Sequence, residues 1–512
     1  MLAAKTTLNS GARNTSSKSV RHVIGIDVGT QSLKAVVIDE RMAIVASASE
    51  SYDVEFPQPG WAEQNPLVWE SAISKVITAV LKQSGLQAEN IAALGIASQL
   101  DGCIPVDRNG RPLSNCLIWM DRRATTQSER VDPKLVRTKN GITADAGHMA
   151  AKISWFQENN PQTSVHCFHQ PVSYLVARLT GEHVMDHAIA STTMLYSLEK
   201  RDYDSDLLKA FSIDRETLPR IDQAAARAGT LTLDAASWTG LSEGLPVAVG
   251  TGDDFSSVLG AGLTEPGQMI CVLGTAEVVG ALDTAPKNDA LGLVETHPLT
   301  KDIFFIENPG WLSGGSLTWF QEIFGIDRVE MLDTLAAAAP AGSEGVIFLP
   351  ALSGAMAPEW NANARGCFYG LTAAHHRGHM ARAVLEGCAF AMNDVLQRLR
   401  ALHVSIDSIL LTGGGAKSVL WAQIRADITG LPVRISEVKD TSPLGAALCA
   451  AVASGLQPDL AAGSKLLRQV ATEIKPNLAL REVYDQAYSR YLSLFDALKP
   501  LFSPSSNEET HS

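Results

Sequence analysis

The chain has 512 residues, 46% of them hydrophobic and 19% charged, with a formal net charge of −13. That composition suits a globular protein with chain enough for two large cores, and the acidic balance argues against a nucleic-acid partner, which needs a basic face. Seven scattered cysteines without a Cys-x-x-Cys pair read as reduced thiols of a cytoplasmic protein, and no apolar stretch approaches the ~20 residues of a membrane span.

Residues 1–22 carry Lys5, Arg13, Lys18 and Arg21, many Ser and Thr, and no acidic residue. Transit peptides share that bias, but the segment lacks an amphipathic apolar face and is expected to be a disordered extension. Residues 23–39 then read as strand, tight turn and strand around Gly29-Thr30. Successive N–H groups in such a turn, with Thr and Ser hydroxyls, make a concave donor site for phosphate oxygens. Asp27 stands at the strand end, where a carboxylate can hold Mg²⁺ through water beside phosphates cradled by Gly29, Thr30, Gln31 and Ser32. A turn-capping aspartate is the plainer alternative.

Helical periodicity follows at 65–83, 149–159 and 170–180, with a short buried-strand pattern at 91–97. Residues 246–252 form another strand running into Gly250-Thr251-Gly252-Asp253-Asp254. A hydroxyl that attacks phosphorus needs a positioned base, and Asp253 can supply one. Asp254 is expected either to cap the following helix or to bind substrate. The boundary between the two halves is placed at 260–266, a Gly/Pro-punctuated joint.

The pattern restarts at 268–280 with a second hairpin around Gly274-Thr275. Two such hairpins, one opening each half, predict a duplicated fold that clamps a nucleotide's phosphates from both sides. A strand at 345–350 and a helix at 379–402 lead to the strand 408–412, which enters Gly413-Gly414-Gly415 before a helix from Val419. Ser418 occupies the third glycine position, so the dinucleotide fingerprint fails, as does the P-loop pattern. What remains is a flat glycine surface for a purine and its ribose. His375, His376 and His379 lie at a helix start with no carboxylate or thiol set, and read as capping or surface residues rather than a metal site. Strands alternating with helices throughout favour an α/β architecture, with ligand bound in a cleft between halves.

In this order the landmarks resemble the FGGY family of carbohydrate kinases, within the actin/hexokinase/Hsp70-like ATPase superfamily, over residues 23–495. The resemblance is carried above all by Gly366 to Leu371 followed by His379-Met380-Ala381-Arg382-Ala383-Val384-Leu385-Glu386, the family's C-terminal signature. Lys152-Ile153-Ser154-Trp155-Phe156 resembles the N-terminal one, although Met149 stands where Pro, Ser or Thr is usual. Gly60-Trp61, Trp119-Met120-Asp121-Arg122-Arg123 and Leu312 to Phe320 are further landmarks. The resemblance implies two RNase H-like domains, each a mixed sheet flanked by helices, with a cleft between them. Residues 23–262 would bind sugar and phosphate, 263–500 would bind ATP, and 501–512 would be a tail.

By the same resemblance Asp253 is the catalytic base and Asp27 the carboxylate associated with Mg²⁺. Thr30, Gln31, Ser32 and Lys34 correspond to the first phosphate loop, and Gly274 with Thr275 to the second. Gly314 and Thr318 match a connecting segment near the nucleotide, and Gly414 and Ser418 the adenosine turn. The xylulokinases are the most similar subgroup, with two departures at the sugar. Leu100-Asp101-Gly102 stands where Met-His-Gly is typical, and Asp254 where Asn is; glycerol kinases carry Glu at the position of Asp101. Leu100, Asp101 and Asp254 are therefore the expected substrate residues. The implied partner is a small sugar or polyol, most simply a ketopentose, with no nucleic acid or membrane, and a homodimer is left open. A non-sugar ATPase, a nicotinamide oxidoreductase built on the Gly413 turn and a ligand sensor without turnover are the readings set against this one.

Overall fold

The computed structural model describes residues 21–502 apart from 327 and 469; the expectations for the two chain ends otherwise lie outside the described residues. Apolar, β-branched residues around Gly29-Thr30 pair as β1 (His22–Val28) and β2 (Ser32–Ile38), antiparallel, and β3 (Ile44–Ser51) continues the meander. On the other side of β1, β4 (Ile91–Ser98) runs parallel to it. With β5 (Arg227–Thr230), β6 (Pro246–Ala248) and the two-residue β7 (Thr251–Gly252) beside β4, the order is β5-β6-β4-β1-β2-β3. The central strands are buried on both faces, which is why they read as continuous apolar runs rather than alternating ones.

The second sheet repeats the plan. It holds β8 (Gly267–Leu273), β9 (Glu277–Asp283), β10 (Glu295–Pro298), β11 (Phe304–Trp311), β12 (Ile406–Thr412), β13 (Val433–Ser436) and β14 (Val470–Ile474), in the order β10-β11-β9-β8-β12-β13-β14. β8 is antiparallel to β9 and parallel to β12, as β1 is to β2 and β4. The duplication expected from the two hairpins is present.

Helices flank both sheets. α1 (Pro66–Ser84) starts at Asn65, whose side chain accepts the Leu67 N–H, and stops at Gly85 in the left-handed region. Trp69, Ile73, Val76, Ile77 and Val80 give it the helical stripe that packs on β2 and β3. α2 (Met149–Asn159), α3 (Pro171–Thr180), α4 (Asp253–Gly260), α5 (Gly314–Phe324), α6 (Arg377–Ala401), α7 (Val419–Thr429) and α8 (Ser442–Ala453) complete the elements that matter for the site.

Division by sequence position is not division by packing. α8 belongs to the second half of the chain but lies on the first sheet, against β1, β4 and α4. Its residues are small on every face (Ser-Pro-Leu-Gly-Ala-Ala-Leu-Cys-Ala-Ala-Val-Ala), as in a helix buried all round. The approach is close because Gly25 and Gly95 sit beneath it: a Cβ there would lie 2.1 Å from the Pro443 carbonyl oxygen and 2.0 Å from that of Ala446. An apolar cluster including Val23, Ala93, Val258, Ile270, Leu410 and Leu448 joins the two sheets at this point.

Candidate active site

The first hairpin sets Asp27 opposite Lys34 in register, and the Gly29 N–H closes the turn on the Ser32 carbonyl at 3.1 Å. Side chains from four other segments hold the turn. Tyr52 Oη donates to the Gly29 carbonyl (2.7 Å), Gln64 Nε2 to the Thr30 carbonyl (2.7 Å) and Trp119 Nε1 to Thr30 Oγ1 (3.0 Å), while Gln99 Nε2 donates to Gln64 Oε1 (2.7 Å). Lys34 is ion-paired with Asp440, in the loop that leads into α8. Gln31 is exposed at the turn, with Ser32 half-buried beside it. Asp27 Oδ1 is sealed from solvent and has no protein partner, so the turn-capping role is not filled. Burial raises the Asp27 carboxyl to about 6 against the pull of Lys34.

The second hairpin leaves Gly274 and Thr275 exposed and is tied to the start of α5. Gly315 N–H donates to the Thr275 carbonyl at 2.9 Å, and a Cβ on Gly314 would lie 2.2 Å from the Gly274 oxygen. Only a glycine at 314 lets the helix start touch the turn. Thr318 is exposed one turn along α5. Behind the hairpin, Glu277 is fully buried, paired with Arg425 of α7 (Oε2 to Nη2, 2.8 Å), and accepts from Ser313 Oγ at 2.6 Å. Gly414 faces open space, whereas the Ser418 hydroxyl is taken up: it caps α7 at the Trp421 N–H (3.0 Å) and donates to Asp333 (2.9 Å).

Asp253 and Asp254 form the first turn of α4, and the residue at the cap position is Gly252. The cap expected of Asp254 is therefore absent: its side chain lies inside the helix, one residue beyond Asp253, whose Oδ1 accepts the Asp254 N–H at 3.1 Å. Burial, then the charges of Asp254 and Asp27, push Asp253 well above the usual carboxylate range, and burial with Asp27 and Asp101 raises Asp254 to about 6. Leu100 packs so tightly on Gly252 that a Cβ there would meet its Cδ2 at 2.0 Å. Asp101 follows in the left-handed region (φ 59°), a conformation Asp tolerates better than most residues. That loop is clamped from both sides. Gln170 Oε1 accepts the Asp101 N–H (2.8 Å), and the buried ammonium of Lys152 donates to the carbonyls of Asp101 (2.7 Å), Ile118 (2.8 Å) and Gly147.

The sequence reading missed a set of residues around Asp101. His148 Nδ1 lies 3.1 Å from Asp101 Oδ2; burial works against its charge, but Asp101, Glu295 and Asp145 outweigh that and raise it to about 9. Glu295, His297 and Glu307 reach the same region from β10 and β11 of the second half. Nothing in their local pattern tied them to Asp101: Glu295 and His297 flank Thr296 in β10, Glu307 precedes Asn308 in β11, and His148 stands at the cap position of α2.

The profile for the FGGY family of carbohydrate kinases, N-terminal domain, matches residues 22–260, and that for its C-terminal domain matches 269–454. The chain belongs to the FGGY family of carbohydrate kinases. A xylulose kinase of Escherichia coli (strain K12) is 31% identical over 496 residues, covering 94% of this chain and 100% of the relative. A glycerol kinase of Thermococcus gammatolerans is 30% identical over 446 residues, covering 85% and 89%. Among solved structures, a xyloylose kinase from Brucella ovis superposes with a TM-score of 0.88 at 29% identity, covering 94% of this chain and 100% of that one. The protein is thus an ATP-dependent carbohydrate kinase with the two-domain fold of that family.

In the C-terminal FGGY signature, Arg382 and Glu386 are tied into the protein by buried hydrogen bonds. Glu386 accepts from the Gly342 N–H (3.0 Å), Ser343 Oγ (2.8 Å) and Arg382 Nε (2.8 Å), while Arg382 also reaches Tyr484 Oη (2.8 Å). Three landmarks of the first half converge likewise: Arg123 stacks 3.5 Å from the Trp61 ring, near Trp155, and pairs with Glu63 and Asp121. Of the histidines, His376 caps α6 at the Gly378 N–H (3.1 Å), as a capping residue should.

Proposed function

We propose that the kinase transfers the ATP γ-phosphoryl group to a terminal hydroxyl of a small neutral sugar or polyol, with a ketopentose such as D-xylulose as the first acceptor to test. The observation that carries this reading is Asp253, a buried carboxyl at the first turn of α4 that feels the charges of Asp254 and of Asp27 in the first hairpin. Residues 23–262 would supply the acceptor side and 263–500 the nucleotide side, with α8 crossing between them.

In this mechanism Asp253 accepts the proton of the acceptor hydroxyl as its oxygen bonds to the γ-phosphorus, and the bond from that phosphorus to the β–γ bridging oxygen breaks to release ADP. Thr30, Gln31, Ser32 and Lys34 face the phosphates from one hairpin, and Gly274 with Thr275 from the other. Gly314 brings the start of α5 against the second hairpin, and Thr318 lies one turn beyond. Gly414 leaves an open surface for the adenosine, while Ser418 fixes that turn to α7. The unpartnered oxygen of Asp27 and the hard oxygen donors around it fit Mg²⁺, held with the phosphates. When bound, the ion supplies positive charge that neutralises the phosphates and favours the ionised form of the nearby carboxyls.

A polyol acceptor is the second reading, favoured by the Asp101–His148 pair. The carboxylate oxygens of Asp101 accept from sugar hydroxyls, and its His148 partner is already committed to it. A coupled ADP-release screen over D-xylulose, D-ribulose, pentitols, erythritol and glycerol tests both readings. At least one acceptor should stimulate release, and Asp253→Asn should cut that turnover by roughly 10²–10⁴ while ADP affinity is kept. Near-wild-type turnover in the variant, or no response to any acceptor, would remove the reading.

A further inference from the structure

Glu307 lies in the middle of β11, 2% exposed, in the second half of the chain. One of its carboxyl oxygens is 3.5 Å from His297 Nε2; the other, Oε2, is sealed from solvent and has no partner in the protein. His297 is set in turn by first-half residues, with Nδ1 2.8 Å from Ser191 Oγ and its ring 5.1 Å from that of Phe255 in α4. In the first half of the chain Asp101 repeats the arrangement: Oδ2 is taken by His148, while Oδ1 is buried and unpartnered. A buried polar oxygen left without a partner is costly, and two of them at a ligand site mark where the hydrogen-bonding groups of the ligand belong.

We propose that Glu307, oriented by His297, is a specificity-determining wall of the acceptor pocket supplied by the second half, and that with Asp101 it selects a neutral polyhydroxyl chain over an anionic one. The inference rests on the sugar-kinase reading of the site. Burial first, and then the charges of Asp254, Glu295, Asp253 and Asp101, push the Glu307 carboxyl well above the usual carboxylate range. In its neutral form that carboxyl carries an O–H donor, which a carboxylate lacks. A hydroxyl both donates and accepts, and fits between the two. The carboxylate of a sugar acid would instead meet Asp101, Asp254 and Glu295, with His148 already engaged by Asp101.

The test uses the full-length kinase, Glu307→Ala and Glu307→Gln, with the best neutral acceptor from the screen. Glu307→Ala should raise the acceptor KM about tenfold or more, the cost of one buried hydrogen bond, with the ADP Kd unchanged. Glu307→Gln, whose amide both donates and accepts, should stay within about threefold of wild type. A purely structural role would lower stability and kcat without this split in KM. The wild-type enzyme should also use a five-carbon sugar acid about 100-fold less well, in kcat/KM, than the matching pentitol. An unchanged acceptor KM in Glu307→Ala, or equal use of acid and pentitol by wild type, overturns the inference while leaving wild-type turnover of neutral acceptors intact. Loss of the kinase reading looks different: no neutral acceptor would then be turned over by wild type at all. If Glu307→Ala does not fold, the Gln variant and the acid–pentitol comparison decide.

Discussion

Asp27, Asp101, Asp253, Asp254, Glu295 and Glu307 are linked by mutual charge effects, and His148 Nδ1 lies 3.1 Å from the Asp101 carboxylate. Such a cluster costs folding energy, which bound phosphates with their cation and the hydroxyls of an acceptor would relieve. His148 gives this balance a measurable pH dependence. Its imidazole is raised to about 9 from an ordinary value of 6.5, so the folded state holds the proton more tightly than the unfolded chain does. The stabilisation is complete below pH 6.5 and is lost as pH rises through about 9. Asp101, Asp145, Glu295, His297 and the buried Lys152 all face this region and remain in place in a His148→Asn variant. Urea unfolding should therefore show wild type more stable than His148→Asn by about 1–3 kcal/mol near pH 6, with the gap shrinking toward pH 9.5. A gap that does not change with pH would show that folding leaves the His148 pKa where it is in the unfolded chain.

The hairpins differ from ordinary strand connections in what is packed behind them. The first turn is held by side chains from Tyr52, Gln64 and Trp119, the second by the start of α5 and the buried Glu277–Arg425 pair. Replacing only one member of that pair would leave a buried charge unpaired, so the pair rigidifies the turn rather than merely adding stability. This makes Gly274 a clean probe of phosphate binding. A Cβ at 274 meets only the Ala276 oxygen, at 3.3 Å, and the backbone there needs no left-handed conformation. Gly274→Val should thus fold with little loss of melting temperature, while weakening ADP binding about tenfold or more because a branched side chain blocks backbone approach. Calorimetric titration with ADP checks it; an unchanged Kd would mean that the second hairpin does not touch the phosphates.

For the whole molecule, α8 is the element on which both halves depend. It carries the chain from the second sheet onto the first, follows the Lys34–Asp440 pair directly, and presses on β1 and β4 through glycines at 25 and 95. Ser256 Oγ of α4 donates to the Ser442 carbonyl at 2.6 Å, and a Cβ on Gly445 would lie 1.9 Å from the Ser256 backbone carbonyl oxygen. Gly95→Val should therefore push the helix off the sheet. The expected cost is about 3 kcal/mol or more, the scale of overpacking in a tight core, seen as earlier urea unfolding and faster proteolysis across both halves. If only the first half became protease-sensitive, α8 would not be the joint.

Much of this was legible in the chain itself, because local signals determine local structure. Gly29-Thr30 and Gly274-Thr275 between β-branched runs specified the two hairpins, and their repetition specified the duplicated sheets. The caps and stripe of α1 and the capping histidine of α6 followed from the same short-range chemistry. Asp253 was singled out because it follows a glycine turn at a strand end. For its neighbour Asp254 the sequence left capping and substrate binding open, and the cap falls to Gly252 because cap and first-turn positions differ by one or two residues that packing settles. Glu295, His297, Glu307 and His148 carried no signal, since two or three polar residues in a short strand, or one before a helix, do not say what they will face. Their meaning comes from contacts between segments far apart in sequence: His297 with Ser191, His148 with Asp101. The same holds for α8, whose small residues describe a helix buried on all sides without saying against what. Sequence alone determined the strands, turns and family of this kinase; which carboxyls share the cleft, and which helix binds the halves together, is decided only when distant segments fold into one low-dielectric space, where pairing and burial set charge.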